Sequence, residues 1–212
     1  MKTIIGVDFD NTIVCYDELF HKIALEKNFI DSDFPKDKEK IRNHFRAIGK
    51  ETAWTELQGY VYGERIFEAE IFPGVIDFFK RTRERAIPIY IISHKTRHPY
   101  AGPAYDLHQA AMGWLEKNNF FSNPSVNLNP KDVFFVESKI LKCDQIALMK
   151  CTHFIDDLSE FLSEPAFPEN TTRILFSKKA DHSLSKSVLR IEDWCAINNY
   201  FFKEHGFFAR RS

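Results

Sequence analysis

A short apolar segment at the start of the chain leads directly into two acidic residues. Residues 3–7 have the length and composition of a buried strand, and Asp8, Phe9 and Asp10 follow at once. Side chains alternate between the faces of a strand, so the two carboxylates point the same way and Phe9 packs behind them. Because neighbouring carboxylates repel each other, the pair requires a cation, a bound proton or both. Taken alone, the segment is also explained as an ordinary turn.

The same pattern recurs late in the chain. Residues 153–155 form another short apolar run, and it ends in Asp156 and Asp157. Between the two acidic segments, the apolar run 87–92 ends in Ser93. Ligands of open α/β sheets bind beyond the carboxyl ends of the strands. Parallel strands are therefore predicted to bring these four acids and the serine together.

These segments, in this order and spacing, resemble the four motifs of the haloacid dehalogenase superfamily of phosphohydrolases. The residues that carry the resemblance are Asp8, Asp10, Asn11, Thr12, Ser93, a lysine at 139 or 142, Asp156 and Asp157. The resemblance extends from residue 3 to about residue 160. It implies a Rossmann-like fold with a small helical cap of the C1 type, dependence on Mg²⁺, and an aspartyl-phosphate intermediate.

The resemblance also implies a role for each acid. Asp8 would attack phosphorus and form the covalent intermediate. Asp10 would protonate the leaving oxygen and then activate water. Mg²⁺ prefers oxygen ligands, and the resemblance implies Asp8, the backbone carbonyl of Asp10 and Asp156 as direct ligands, with Asp157 acting through water or orienting its neighbour.

The groups that contact the phosphoryl oxygens are less closely defined by sequence. Ser93, nearby backbone N–H groups and Thr12 are the expected donors. Lys139 and Lys142 both lie in the first turn of a predicted helix, and either ammonium could neutralise the nucleophile and phosphate. We favour Lys142, because residues 142–146 look like the lysine-led helix that precedes the final acidic strand.

Substrate-binding residues are predicted from their position beside the motifs. The candidates in the core are Asn11, Thr12, His94, Lys95 and Arg97. Solvated surface charge explains the last three equally well. The candidates in the cap are Trp54, Gln58, Tyr60 and Arg65. A short helical cap favours a small substrate: a phosphorylated sugar, polyol, amino alcohol or nucleotide.

The chain divides into a catalytic core, residues 1–14 and 73–212, and a helical cap, residues 15–72. Apolar residues at helical spacing predict several helices in the cap, and Phe72-Pro73-Gly74 marks the return to the core. Strands alternating with helices in the core predict an α/β fold with a mostly parallel sheet. The predicted core strands after the first are residues 87–92, 133–136, 153–156 and 173–176. Residues 188–202 are predicted to form a closing helix.

Composition excludes several classes of function. The 212 residues carry a formal net charge of −1, so no global field attracts a nucleic acid polymer. The four cysteines show no metal-ligand spacing, which is typical of reduced thiols. No signal peptide and no apolar run long enough to cross a membrane is found. We therefore expect a cytoplasmic monomer or homodimer that binds a small phosphorylated metabolite.

Other functions are compatible with parts of the pattern. A phosphomutase of the same superfamily shares the acid pair, although Asn11-Thr12 resembles the phosphatase pattern more than the Gly-Val of sugar phosphomutases. A phosphoacceptor domain also clusters acids, but its acid pair closes the first strand, and the insertion would have no role. A glycosyltransferase metal site would normally lie deeper in the chain. A binding module without activity would be expected to have lost one of the acids.

Overall fold

A computed structural model describes residues 2–179 and 187–203 of the chain. Within these residues the strands are β1 (Ile5–Val7), β2 (Val14–Cys15), β3 (Glu70–Ile71), β4 (Ile89–His94), β5 (Val133–Val136), β6 (His153–Asp156), β7 (Thr172–Phe176) and β8 (Val188–Ile191). Six of them form one parallel sheet in the order β5-β4-β1-β6-β7-β8. The first strand therefore lies near the middle of the sheet.

Helices cover the sheet and fill the insertion. Within the described residues they are α1 (Asp17–Glu26), α2 (Lys38–Ala47), α3 (Glu51–Tyr62), α4 (Val75–Glu84), α5 (Leu107–Lys117), α6 (Lys139–Leu148), α7 (Ser159–Leu162) and α8 (Trp194–Phe202). Short 3₁₀ turns occupy Ile66–Glu68 and Pro130–Asp132. None of the helices in the described part of the chain has the length and apolar character needed to cross a membrane.

The insertion, defined here as the residues between β2 and β3, begins and ends at one point of the molecule. β2 and β3 pair antiparallel, with Val14 opposite Ile71 and Cys15 opposite Glu70. Helices α1, α2 and α3 lie between these strands in the chain. The predicted α/β fold, with a Rossmann-like parallel sheet and a helical insertion after the first strand, is thus confirmed. The domain boundaries at residues 14, 15, 72 and 73 stay a prediction.

The prediction of one helix over residues 188–202 is wrong for its first part. Val188–Ile191 is a strand that pairs parallel with β7, and the helix α8 begins only at Trp194. The side chain of Asp193 accepts a hydrogen bond from the Ala196 N–H at 2.7 Å and so caps α8. An N-cap aspartate is a sequence signal for a helix start, and it separates the two elements.

The sheet lies between two apolar layers, because alternate residues of its strands face opposite sides. Ile91, Ile155 and Ile174 pack in the larger core cluster, whereas their neighbours Ile92, Phe154 and Leu175 pack in the second cluster. Both clusters are rich in aromatic rings.

Phe9 anchors the turn after β1. It is fully buried, and its ring packs edge-on against Trp114 at 5.5 Å and Phe135 at 5.4 Å between ring centroids. The prediction that Phe9 packs behind the acid pair is confirmed. The two aspartates are consequently carried by a turn that is fixed in the core.

We expect Gly6→Ala to destabilise the protein, because β1 leaves no room for a side chain at this position. A Cβ atom on Gly6 would lie 2.5 Å from Phe154 Cδ2 and 3.1 Å from Cys151 Sγ. Overpacking of this kind costs about 1–3 kcal/mol of unfolding free energy, measurable by urea denaturation.

Gly113→Ala in α5 is the matched control. Its Cβ would meet only the ring of Phe67, at 3.1 Å, and that side chain is 41% exposed and free to shift. Alanine also favours the helix by about 1 kcal/mol relative to glycine. Equal destabilisation by both substitutions would contradict the packing described for β1.

Candidate active site

Two buried aspartates lie side by side at the carboxyl ends of neighbouring strands. Val7 of β1 is paired with Ile155 of β6, and the N–H of Asp8 donates to the carbonyl of Ile155 at 2.9 Å. Asp8 therefore sits beside Asp156, the last residue of β6. Asp8 is 5% exposed and Asp156 is fully buried, so neither carboxylate is screened by bulk water.

Lys142 joins these two carboxylates. Its Nζ donates to Asp8 Oδ1 at 2.5 Å and to Asp156 Oδ2 at 2.6 Å. The side chain is buried against the rings of Phe161 and Phe154, at 4.1 and 5.3 Å from the ring centroids. The nearby carboxylates raise the pKa of Lys142 further than its burial lowers it, so the ammonium stays charged.

Lys139 lies outside this cluster. Its Nζ pairs with Glu164 Oε1 at 2.9 Å, and its side chain is 43% exposed. Both lysines belong to α6, whose first turn is capped by the side chain of Ser138. Of the two lysines considered from the sequence, the structure brings Lys142, the favoured one, to the acids and pairs Lys139 with Glu164.

Three carboxylates converge as a candidate metal site. Oxygens of Asp8, Asp156 and Asp157 lie within 4.8 Å of one another. The second oxygen of Asp156 accepts the N–H of Leu158 at 2.9 Å, which orients the group. Carboxylate oxygens are hard ligands of the kind that Mg²⁺, Ca²⁺ and Mn²⁺ prefer.

The electrostatics of this triad also fit a cation. Burial raises the pKa of Asp8 to about 7, although Lys142 opposes the shift. Burial, Asp156 and Asp8 raise the pKa of Asp157 well above its ordinary value. Asp8 and Asp157 thus resist ionisation in this cluster, and a divalent cation would offset the repulsion between the carboxylates.

The side chain of Asp10 is held away from the triad by two donors. The hydroxyl of Tyr16 donates to Asp10 Oδ1 at 2.7 Å, and Lys95 Nζ pairs with Asp10 Oδ2 at 2.7 Å. Lys95 is 5% exposed, and its ammonium lies 4.9 Å from the centroid of the Tyr62 ring and 5.6 Å from that of Phe9. The sequence predicts that Asp10 binds the metal through its backbone carbonyl. The two contacts described here involve only its carboxylate oxygens and are compatible with that prediction.

Tyr16 was missed by the sequence analysis. It directly precedes α1, at the start of the insertion, and is 1% exposed. Burial and the nearby Asp10 raise its pKa well above the ordinary value, so the hydroxyl remains a donor. A tyrosine at a helix start carries no sequence signal of contact with an acid six residues earlier.

The predicted phosphate-binding residues differ in their surroundings. Ser93 is 1% exposed near the end of β4. Thr12 is fully buried, and its hydroxyl finds no hydrogen-bond partner among the described residues. Asn11 has a backbone φ of 55°, a left-handed conformation that asparagine tolerates better than most residues. The turn alone accounts for an asparagine at this position.

One of the three basic candidates after Ser93 contacts an acid of the site. Lys95 does so, whereas Arg97 is 62% exposed and pairs with Asp106 at 3.0 Å. His94 is exposed at the end of β4, and partial burial together with Lys142 lowers its pKa.

The predicted cap residues mostly have structural roles. Trp54 is buried and stacks on Phe20 at 5.0 Å between ring centroids. Arg65 pairs with Glu26 and Glu68, and it also donates to the hydroxyl of Tyr60. Gln58 is half-buried. The insertion instead contacts Asp10 through the hydroxyl of Tyr16, and Tyr62 lies against the ammonium groups of Lys95 and Lys38. The sequence analysis singled out neither tyrosine, nor Lys38.

No protein-family model and no curated protein matches the sequence. Solved structures do match it over nearly its whole length. A HAD-superfamily hydrolase from Ehrlichia chaffeensis is 14% identical, with 96% of this chain and 98% of that chain covered and a TM-score of 0.51. A HAD-superfamily hydrolase of subfamily IA, variant 1, from Geobacter sulfurreducens is 11% identical, with 94% and 96% covered and a TM-score of 0.54.

A third similar structure is a HAD family hydrolase from Deinococcus radiodurans, described with bound phosphate and sodium. It is 10% identical, with 95% of this chain and 96% of that chain covered and a TM-score of 0.53. At sequence identities this low, the structural similarity shows the fold alone. The chain has the fold of haloacid dehalogenase superfamily hydrolases, with a small helical insertion after the first strand, and the predicted resemblance is confirmed at that level.

We expect Mg²⁺ to stabilise the protein more at pH 8 than at pH 5. The pKa of Asp8 is higher in the folded protein, at about 7, than in the unfolded chain, at about 4. The stability that protonated Asp8 contributes to the metal-free protein is therefore complete below about pH 4 and is lost as the pH rises through about 7. Mg²⁺ binds the ionised form, so its effect grows over the same range. Thermal unfolding with Mg²⁺ and with EDTA at both pH values measures this difference.

Asp157→Asn tests whether Mg²⁺ binds at the triad of Asp8, Asp156 and Asp157. Removing this charge relieves repulsion within the triad, and we expect a metal-free melting temperature about 2–4 °C higher at pH 8, equivalent to about 1 kcal/mol, with most of the Mg²⁺ effect lost. Asp144→Asn, an exposed acid on α6, is the control and should keep the wild-type response. A full response to Mg²⁺ in Asp157→Asn would place the metal elsewhere.

Proposed function

We propose that the protein is a Mg²⁺-dependent phosphatase that hydrolyses a small phosphomonoester through an aspartyl-phosphate intermediate on Asp8. The observation that carries the proposal is the buried contact of Lys142 with Asp8 and Asp156, beside Asp157 and at the carboxyl edge of a parallel sheet. The Deinococcus radiodurans hydrolase of the same fold is described with bound phosphate and sodium, so a protein of this fold can bind an anion and a cation.

Asp8 is the proposed nucleophile. Its backbone is fixed by the bond to Ile155, and its Oδ1 is held by Lys142, so the carboxylate is oriented before a substrate arrives. Asp156 and Asp157 would hold Mg²⁺ together with Asp8. The metal would supply charge neutralisation for the phosphoryl oxygens, which phosphoryl transfer requires. Lys142 adds a positive charge at the same edge.

Asp10 is the proposed acid and base. A proton on its carboxyl would pass to the leaving oxygen, and the resulting carboxylate would then accept a proton from the water that hydrolyses the aspartyl phosphate. Tyr16 and Lys95 hold both carboxyl oxygens of Asp10, so one of these contacts gives way to the leaving oxygen or to water. We assign Tyr16 and Lys95 to positioning this group.

Two buried hydroxyls are the proposed donors to the phosphoryl oxygens. Ser93 lies near the end of β4, the strand next to β1, and the Thr12 hydroxyl has no hydrogen-bond partner within the described chain. A buried hydroxyl without a partner is unfavourable, and an anionic oxygen would satisfy it. The proposed partner of the protein is accordingly a small phosphorylated metabolite.

The function is tested by phosphate release from a panel of sugar, polyol, amino-alcohol, amino-acid and nucleotide phosphates, with an aryl phosphate included. We expect release with Mg²⁺ and none with EDTA. Asp8→Asn removes the nucleophile and should lower the rate at least about 10³-fold. Release that persists in Asp8→Asn, or no release from any compound, would overturn the proposal.

The two lysines of α6 provide a sharper comparison. Lys142→Met leaves two buried carboxylates without their shared cation, and we expect kcat/KM to fall by about 100-fold or more. Lys139→Met, on the same helix turn, should change kcat/KM less than about twofold, since exposed ion pairs contribute little. Circular dichroism confirms that both variants fold. A large loss with Lys139→Met and a small one with Lys142→Met would reverse the assignment.

A further inference from the structure

The insertion places a third lysine close to the acidic cluster. Lys38 is the first residue of α2, and its backbone N–H donates to Asp17 Oδ1 at 2.9 Å. The side chain of Asp37 caps the same helix by accepting the N–H of Lys40 at 3.0 Å. The start of α2 is thereby fixed against the start of α1, and so is the position from which the Lys38 side chain extends.

Aromatic rings surround the ammonium of Lys38. Its Nζ lies 5.3, 5.5 and 5.8 Å from the ring centroids of Tyr62, Phe20 and Tyr16. Tyr16 is the residue whose hydroxyl contacts Asp10, and the ring of Tyr62 also faces the ammonium of Lys95. Two of the three rings around Lys38 therefore also contact Asp10 or its partner Lys95.

Lys38 differs from the other two lysines of this region in its partners. Lys142 contacts two carboxylates and Lys95 contacts one, whereas Lys38 makes no ion pair within residues 2–179 and 187–203. Burial lowers the pKa of Lys38, but Tyr62, Asp157 and Asp10 together raise it further, so the group remains a cation. Lys38 is half-buried, and its ammonium lies against aromatic rings with no carboxylate in contact, so its charge is available to a bound anion.

We propose that Lys38 binds a second anionic group of the substrate, a carboxylate or a further phosphate, on the part of the molecule that leaves. This inference rests on the proposed function. Mg²⁺, Lys142 and Lys95 would already oppose the charges of the acids and of the transferred phosphoryl group. Lys38 adds positive charge at the insertion side, where a neutral polyol or sugar would leave it without a partner. The substrate class is thus a compact phosphomonoester with a second negative charge.

Binding can be measured separately from turnover in the Asp8→Asn background with Mg²⁺ present. Calorimetry compares 3-phosphoglycerate with glycerol 3-phosphate, and propane-1,3-diol bisphosphate with the monophosphate. The members of each pair differ mainly in the second anionic group. We expect at least one anionic member to bind about tenfold more tightly than its partner. Adding Lys38→Met should remove that preference, and adding Lys38→Arg should retain it.

Lys40→Met is the matched control, because Lys40 lies on the same helix and its side chain is exposed. It should leave the preference intact. The inference is overturned if neither pair shows a preference, or if the preference survives Lys38→Met in a folded protein. Turnover of the same compounds by the protein with Asp8 intact tests the phosphatase independently. Turnover without a charge preference refutes only the role of Lys38, and preference without turnover refutes only the phosphatase.

Discussion

The contact of Lys142 with Asp8 and Asp156 is the interaction on which the rest of the site depends. Two carboxylates at neighbouring strand ends, both away from water, would not remain ionised side by side without a cation. Lys142 supplies that cation from a different element of the fold. Its ammonium lies over the rings of Phe154 and Phe161 in a buried setting, so the charge has little freedom to move away. The acidic edge of the sheet and the aromatic layer beneath it are consequently one structural unit.

The carboxylate of Asp10 is likewise stabilised by donors, but these belong to different parts of the chain. Lys95 comes from the segment after β4 in the core, and Tyr16 comes from the start of the insertion. Asp10 is therefore one point at which the core and the insertion make a shared polar contact, and it lies at the site itself. Any movement of the insertion that displaces Tyr16 would change the surroundings of the group that we assign to proton transfer.

Much of the arrangement could be predicted because it follows from strand geometry. Asp8, Ser93 and Asp156 each close a short apolar run, and parallel strands bring such ends to one edge whatever the intervening sequence. The choice between Lys139 and Lys142 could not be made in this way. Both residues lie in the first turn of one helix, and only the position of α6 against the sheet sends one to Asp8 and the other to Glu164. Similarly, β8 was missed because its four residues, Val188–Ile191, are too few to distinguish a strand from the start of a helix.

The sequence by itself determined the α/β fold, the insertion after the first strand, and the set of carboxylates that meet at the sheet edge, since each depends on local periodicity and on chain order. Only the tertiary structure decided which donors contact those carboxylates. Lys95, Lys142 and Tyr16 come from three separate segments, and their side chains are long enough to reach several partners. Their contacts are set by the packing of helices on the sheet, and residue spacing along the chain does not predict that packing.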